Sequence, residues 1–333
     1  MSQKSKPVLP SQVDVDMYRD SFLLMLPLLA MAVYLYGARP AVLCAVAVVT
    51  ANLCDRLVAL LRRKPYERHE MSSESFALLV AMLLPASVDY YVLIVAVLAA
   101  VLVGKEAFGG YGAYPFHPAA VGYVVAAVSW PEQVFRFPVP FAALPLGGTD
   151  GVQLVESASA VLKSGGLPTT STLDLLLGDY AGPMGTTFNL VILSCLLYLL
   201  ARRKTSLVTP ACFLLACAAV AYLAPRLGDI PLSWPWQYAG QRLEVLKFEM
   251  LSGAVLYSAV FLVNEPVTLP KNGASRAVYG LLLGFTSMMF RYFGTYETGV
   301  CFALLAVNAV SGWLDRVVTG FTAHRKEVRP RES

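Results

Sequence analysis

Long apolar runs, separated by short polar stretches that hold most of the charge, dominate this chain. Ten runs stand out, with cores at Ser21–Gly37, Ala41–Cys54, Phe76–Leu84, Tyr90–Gly104, Pro118–Trp130, Thr187–Ala201, Leu207–Ala224, Met250–Val263, Ala277–Phe290 and Thr298–Trp313. Such runs predict membrane-crossing helices, which need roughly 20 apolar residues each. Several fall short of that. The third, fifth and eighth end or begin at Pro85, Pro118 and Pro266, and proline stops or starts a helix rather than continuing it. These three are expected to be broken or half helices. The predicted fold class is an all-α polytopic membrane protein of about ten segments.

Composition and charge sharpen this reading. With 57% hydrophobic residues, 14% charged residues and a mean hydropathy of +0.59, a soluble globular chain is excluded. The net charge of +4 is modest, and the basic residues flank apolar runs, which fits orientation in lipid and not a nucleic-acid partner. With the N-terminus placed inside, nineteen of the 26 lysines and arginines fall on the inner side and seven on the outer. Basic residues favour the cytoplasmic side, so both termini are expected there. The polar first twenty residues do not read as a cleavable signal peptide. All six cysteines lie in or beside apolar runs and read as small buried hydrophobes. The three histidines, His69, His117 and His324, are too far apart in sequence to suggest a metal cage.

The two halves resemble each other. His69-Glu70-Met71 opens a short run that ends before Pro85, and Phe248-Glu249-Met250 opens one that ends before Pro266. Phe108-Gly109-Gly110-Tyr111 leads into the fifth run, as Phe293-Gly294-Thr295-Tyr296 leads into the tenth. Five segments per half is an odd number, so the second repeat must be inverted relative to the first. The expected division is a cytoplasmic tail over 1–20, a first repeat over 21–130 and an extracytoplasmic loop over 131–186. A second repeat over 187–317 and a cytoplasmic tail over 318–333 complete it. Inverted repeats place binding sites between the halves, near the midplane, on discontinuous helices. The stretch Gly104–Trp130, with its glycine loop and Pro-Phe-His-Pro re-entry, is the best candidate for such a cavity, through Gly109, Gly110 and His117. His117 itself reads first as a residue that starts a helix. Trp234 and Trp236 read as belt residues at the lipid interface.

Phe108-Gly109-Gly110-Tyr111-Gly112, Pro115-Phe116-His117-Pro118-Ala119 and Gly122-Tyr123 are similar to the pattern F-G-G-x-G-x-N-x-F-N-P-A-x-x-G. That pattern belongs to RnfD, a membrane component of the Rnf ion-translocating electron-transport complex, and to its relative NqrB of the Na⁺-translocating NADH:quinone reductase. Glu265-Pro266-Val267-Thr268-Leu269-Pro270 resembles the family's D-P-V-T-S-P, and Tyr279-Gly280, Phe293-Gly294, Tyr296 and Asn308-Ala309 extend the likeness. Thr172-Leu173-Asp174 through Gly178, Gly182 and Gly185 resemble the family's approach to the sixth helix. The resemblance implies a multi-pass subunit in a bacterial cytoplasmic (inner) membrane. It would pass electrons through flavin, coupled to Na⁺ or H⁺ transport. Implied partners are the other subunits, a flavin-attaching transferase and membrane lipid.

The resemblance also implies FMN joined through phosphate to a threonine in an S-x-A-T-like motif of the outer loop, with riboflavin as a second, non-covalent flavin. This chain departs from that motif, reading Glu156-Ser157-Ala158-Ser159. The threonine matches Ser159 when Ala158 takes the alanine position, and Ser157 in a gapless alignment. Serine offers the same hydroxyl. A solute transporter or channel without a redox role, or a family member that has lost covalent flavin, stays open as an alternative.

Charges at membrane depth are costly and mark candidate function. Glu265, where the family has aspartate, and Glu70 are candidate carboxylates on a cation path. Lys105 and Arg291 occupy paired positions in the two halves. They either face flavin phosphates or, as expected here, snorkel to the interface.

Overall fold

The computed structural model describes residues 12–63, 71–148, 151–202, 206–226, 234, 236–296 and 298–327. The first half comprises α1 (Gln12–Tyr36), α2 (Arg39–Leu61), the short α3 (Ser72–Leu83), α4 (Tyr90–Leu98) and α5 (Pro118–Ser129). Helix α4 runs on as a π-helical segment over Ala99–Lys105 and a single 3-10 turn over Glu106–Phe108. The connecting region contains α6 (Pro131–Val134), an antiparallel pair of two-residue strands β1 (Phe137–Pro138) and β2 (Leu154–Val155), α7 (Ala158–Lys163) and α8 (Thr172–Leu177). The second half comprises α9 (Asn189–Ala201), α10 (Val208–Leu223), α11 (Ala239–Leu251), the short α12 (Val255–Phe261), α13 (Gly273–Phe293) and α14 (Val300–Glu327).

The packing order repeats. Helix α2 lies against α3 and α4, and α10 lies against α12 and α13. The π-helical segment packs on α5 as α13 packs on α14, while α1 meets α9 and α5 meets α14 across the halves. Among the described residues four helices have the length and hydropathy to span a bilayer, and α3, α5, α9 and α10 are shorter apolar helices. The chain is thus an all-α, multi-pass membrane protein.

Without a hydrophobic drive between helices in lipid, close approach depends on small residues. Gly122 of α5 shows why: a Cβ there would sit 2.4 Å from the Ala96 carbonyl oxygen and 2.8 Å from the Ala100 Cβ. Gly284 of α13 plays the same part against the Phe213 carbonyl oxygen of α10, at 2.4 Å.

Helix α3 stops inside the protein, at Leu83, and its freed carbonyls must be satisfied without water. The chain before α9 does this: Met184 N–H donates to Leu84 O (3.1 Å) and Gly185 N–H to Met82 O (2.9 Å). The fully buried Arg39 caps the far side, donating to Ala86 O (3.1 Å), Val88 O (3.0 Å) and Pro145 O (2.8 Å).

Several sequence expectations shift. Helix α1 starts at Gln12 and α14 runs to Glu327, so the boundaries at 20 and 318 fall inside helices. The eighth run is not continuous: α11 ends at Leu251, Ser252 is extended, and Gly253 takes a left-handed turn (φ +70°) before α12. The region before it is helical from Ala239. Trp234 and Trp236 stack on each other, 5.1 Å apart, and stay mostly exposed. The cysteines are all unpaired, five of them buried and Cys212 partly so.

Candidate functional site

The connecting region folds back onto the second repeat through α7, which packs on α11. Its N-cap is Ser157, whose hydroxyl accepts from Ala160 N–H at 3.1 Å, ordinary capping chemistry. Ser159, in the first turn, is buried and points at the break between α11 and α12. Its Oγ lies 3.2 Å from Ser252 Oγ, and Arg291 Nη2 donates to it at 2.9 Å. Arg291 Nη2 also reaches Ser252 Oγ at 3.2 Å, and its Nε pairs with Glu249 Oε2 at 2.6 Å. Gly253 makes room: a Cβ there would stand 2.9 Å from Ser159 Oγ and 3.4 Å from Arg291 Nη1.

Arg291 therefore does not snorkel. It is buried, 4% exposed, and holds its guanidinium against a serine pair and a carboxylate. Lys105 is buried too, donating to Ser73 Oγ of α3 at 2.8 Å with Asp55 (3.9 Å) and Glu106 (3.8 Å) as counter-charges. The expectation fails in a matching way in both halves: Lys105, ending the π-helical segment, turns inward to the start of α3, and Arg291, in the last turn of α13, turns inward to the break before α12. Buried away from water, each cation needs polar partners.

Beside α7 lies a cavity of about 520 Å³, within the usual range for small-molecule sites. Ala160, Lys163, Phe135, Arg226 and Tyr296 contribute to its lining. The Phe135 and Tyr296 rings stack at 4.9 Å and nearly parallel, so the Phe293–Tyr296 loop, the second-half match of the glycine loop, supplies one wall. Lys163 Nζ ties α7 to that loop through Gly294 O and Thr295 O, both at 2.6 Å. Arg226 Nη1 is buried and makes no hydrogen bond among the described residues.

A second polar cluster lies between the halves. Glu265, 2% exposed, accepts from Tyr18 Oη (2.6 Å) and Tyr114 Oη (2.7 Å) on Oε1 and from Thr268 N–H (2.7 Å) on Oε2. The two tyrosine hydroxyls are 3.0 Å apart. Among the described residues no lysine or arginine pairs with this carboxylate. Helix α1, the glycine loop and the end of α12 meet here. Glu70 lies outside the described residues.

The glycine loop is built as its composition implies, with Gly109 (φ +117°) and Gly110 (φ +93°) in conformations that other residues resist. Gly110 packs over the Glu106 carboxylate, which Arg62 clamps at 2.8 Å. His117 is the N-cap residue of α5, but its side chain does not cap. The imidazole is buried edge-on to Phe76, 5.6 Å between centroids, and neither ring nitrogen makes a hydrogen bond. The structure thus gathers Ser159 and Arg291 at one site and Glu265 at another, while Gly109, Gly110 and His117 belong to neither. Nothing in the sequence pattern singles out Tyr18, Ser252 or Arg226, whereas Tyr114 stands where the quoted family pattern has an asparagine. Only Glu249 carries a signal, as part of the Phe-Glu-Met repeat marker.

This polytopic, twice-repeated helical protein belongs to the NQR2, RnfD, RnfE family, whose model matches residues 2–322. It is 30% identical over 329 residues to the RnfD protein of the ion-translocating oxidoreductase complex of Actinobacillus succinogenes, with 88% of each chain covered. The same-named proteins of Pseudomonas paraeruginosa, 30% identical with 89% of this chain and 88% of theirs covered, and Escherichia fergusonii, 28% identical with 87% and 88% covered, are similar as well.

Proposed function

We propose that this chain is the flavin-bearing membrane subunit of an ion-translocating oxidoreductase complex, with FMN esterified through its phosphate to Ser159. The names of its relatives support the complex. One observation carries the attachment: Ser159 Oγ lies 2.9 Å from a buried guanidinium, beside a cavity with stacked aromatic rings and an unpartnered arginine nitrogen. Those donors suit a phosphate and those rings suit a flat conjugated system. Ser157, by contrast, spends its hydroxyl on the helix cap. In attachment, Ser159 Oγ gives up its proton and takes a phosphoryl group from a flavin dinucleotide. The pyrophosphate bond breaks and a nucleoside monophosphate leaves with the displaced electron pair. Because Ser252, Gly253 and Arg291 enclose the hydroxyl, the transferase acts on α7 before it docks.

Bound flavin supplies one- and two-electron redox chemistry. The protein holds the phosphate, walls the ring and provides, for Na⁺ or H⁺, the Glu265 carboxylate, which no lysine or arginine among the described residues pairs with. The buried His117, with two unpartnered nitrogens, supports a second, non-covalent flavin (riboflavin) near the glycine loop. We place the chain in a bacterial inner membrane with cytoplasmic termini, among the other subunits of the complex.

The test is co-expression with a flavin-attaching transferase, followed by denaturing electrophoresis and imaging of the band for flavin fluorescence. Wild type and Ser157→Ala are expected to fluoresce and Ser159→Ala to be dark. Fluorescence that survives Ser159→Ala and vanishes in Ser157→Ala moves the attachment to Ser157; a dark wild-type band rejects it.

A further inference from the structure

Glu265 stands at one corner of a closed triangle of oxygens. Its Oε1 is 2.6 Å from Tyr18 Oη and 2.7 Å from Tyr114 Oη, and the two phenol oxygens are 3.0 Å apart. Every edge has the length of an O–H···O hydrogen bond, and each such bond needs one proton. A phenol brings one proton and an ionised carboxylate brings none. With Glu265 ionised, two protons serve three edges. If both tyrosines donate to Oε1, their own oxygens face each other with lone pairs alone. If one donates to the other, the carboxylate loses a donor. A single proton added to Oε1 closes the triangle. The carboxyl then donates to one phenol, that phenol to the other, and the second back to Oε1, each bond polarising the next. Oε2 becomes the carbonyl of a carboxylic acid and is placed for that role, accepting Thr268 N–H at 2.7 Å.

The same distances disfavour a metal ion. Around an ion of Ca²⁺ size, with oxygens at about 2.4 Å, neighbouring oxygens of an octahedral shell stand about 3.4 Å apart. Na⁺ is close to Ca²⁺ in size, and all three edges here are shorter than that. Burial points the same way. Glu265 is almost fully buried, and its polar partners among the described residues are the two tyrosines and Thr268, with no cation. A carboxylate removed from water without a paired cation is costly, whereas a neutral acid with its hydrogen bonds made is not. The other titratable side chains around the triangle do not bond the carboxyl. Tyr111 of the glycine loop lies edge-on to Tyr18 at 6.1 Å, and His117 lies across Phe76 from both tyrosines. Tyr279 of α13 gives its hydroxyl to Asn308.

Resting on the ion-coupled function above for its role in transport, we propose that Glu265, Tyr18 and Tyr114 form a proton-binding site, selective for H⁺ over Na⁺, in which the Glu265 carboxyl holds the proton and the two phenols complete a three-membered hydrogen-bonded cycle. Loading forms an O–H bond at Oε1 with a proton taken from water. Release breaks that bond, leaves the electron pair on the carboxylate and returns the proton to water, and each phenol keeps its own. Tyr18 comes from α1 and Tyr114 from the glycine loop, so the first half supplies the two positioning residues and the second half the carboxyl.

The experiment is infrared difference spectroscopy of the detergent-solubilised full chain at neutral pH, wild type against Glu265→Gln, in Na⁺-free potassium buffer. A carboxylic-acid C=O band is expected in the wild type, moving to lower frequency in heavy water and absent from Glu265→Gln. It should persist in Tyr18→Phe/Tyr114→Phe at a higher frequency, as a carboxyl relieved of its partners, and stay unchanged when Na⁺ replaces K⁺. Should Glu265→Gln not fold, Glu265→Asp decides by moving the band. No band assignable to Glu265 means an ionised carboxylate and overturns the proposal. A band abolished by Na⁺ with saturation overturns the selectivity, and one unmoved in the double tyrosine variant overturns the cycle. Vesicles containing the whole complex are assayed in parallel, with redox-driven acidification expected in Na⁺-free medium. No redox-driven uptake of either ion overturns the coupled function, while the band still decides the proton site.

Discussion

Gly122→Val is expected to prevent the first repeat from assembling. The valine Cβ would arrive 2.4 Å from the Ala96 carbonyl oxygen and 2.8 Å from the Ala100 Cβ, inside any allowed contact. The opposing atoms belong to α4 and to the first residues of the π-helical segment, so no long side chain can swing away. Overpacking ordinarily costs about 1–3 kcal/mol, and backbone obstruction puts this site at the upper end or beyond. Against a total stability of roughly 5–15 kcal/mol that is a large share. Helix α5 would be pushed off α4, carrying its own first turn and the glycine loop with it. Gly240→Ala is the matched control, since a Cβ there meets nothing within 4 Å. Detergent-solubilised Gly122→Val should aggregate or melt well below wild type on fluorescence-detected size exclusion, with Gly240→Ala unchanged.

Glu265→Gln is expected to fold and to uncouple. The carboxylate accepts three hydrogen bonds, two of them from hydroxyls on α1 and the glycine loop. Tyr18 and Tyr114 can each turn to accept from an amide, so the neutral isostere keeps the three-way junction together. What it removes is the charge, and a cation at membrane depth needs a fixed negative partner. In vesicles containing the whole complex, redox-driven ion uptake should drop by roughly tenfold or more, the equivalent of about 1.4 kcal/mol or more on the transport barrier. Glu265→Asp should retain more uptake than Glu265→Gln. Wild-type uptake in Glu265→Gln would remove this carboxylate from the path.

Much of the architecture was legible in the chain because lipid imposes a coarse rule. Apolar runs must be helical, and prolines mark where helices cannot continue. Pro85 and Pro266 therefore announced the two short helices α3 and α12. Residue pairing across the repeats also survived: Lys105 and Arg291 do occupy matching roles. Their destination was not legible. Snorkelling is the default for a cation near a run's end, and only the fold reveals that each is buried against serine oxygens beside a short helix. The site around Ser159 shows the same limit. Its hydroxyl could be nominated from the family's motif, whereas Ser252, Glu249 and Arg226 come from separate segments more than sixty residues away in sequence. No local pattern marks Ser252 or Arg226, and Glu249 carries only its place in the Phe-Glu-Met repeat. Tyr18 and Tyr114 escaped notice because tyrosines near membrane ends usually read as interfacial anchors. Here both are buried on Glu265 instead.

The central claim, a flavin ester on Ser159, is tested most directly by peptide mapping of the mature protein purified from cells that contain the transferase. The account predicts that the peptide spanning Ser157 and Ser159 carries the mass of one FMN less one water, with fragmentation placing it on Ser159. An unmodified peptide recovered in full yield, or a modification placed on Ser157, would contradict it.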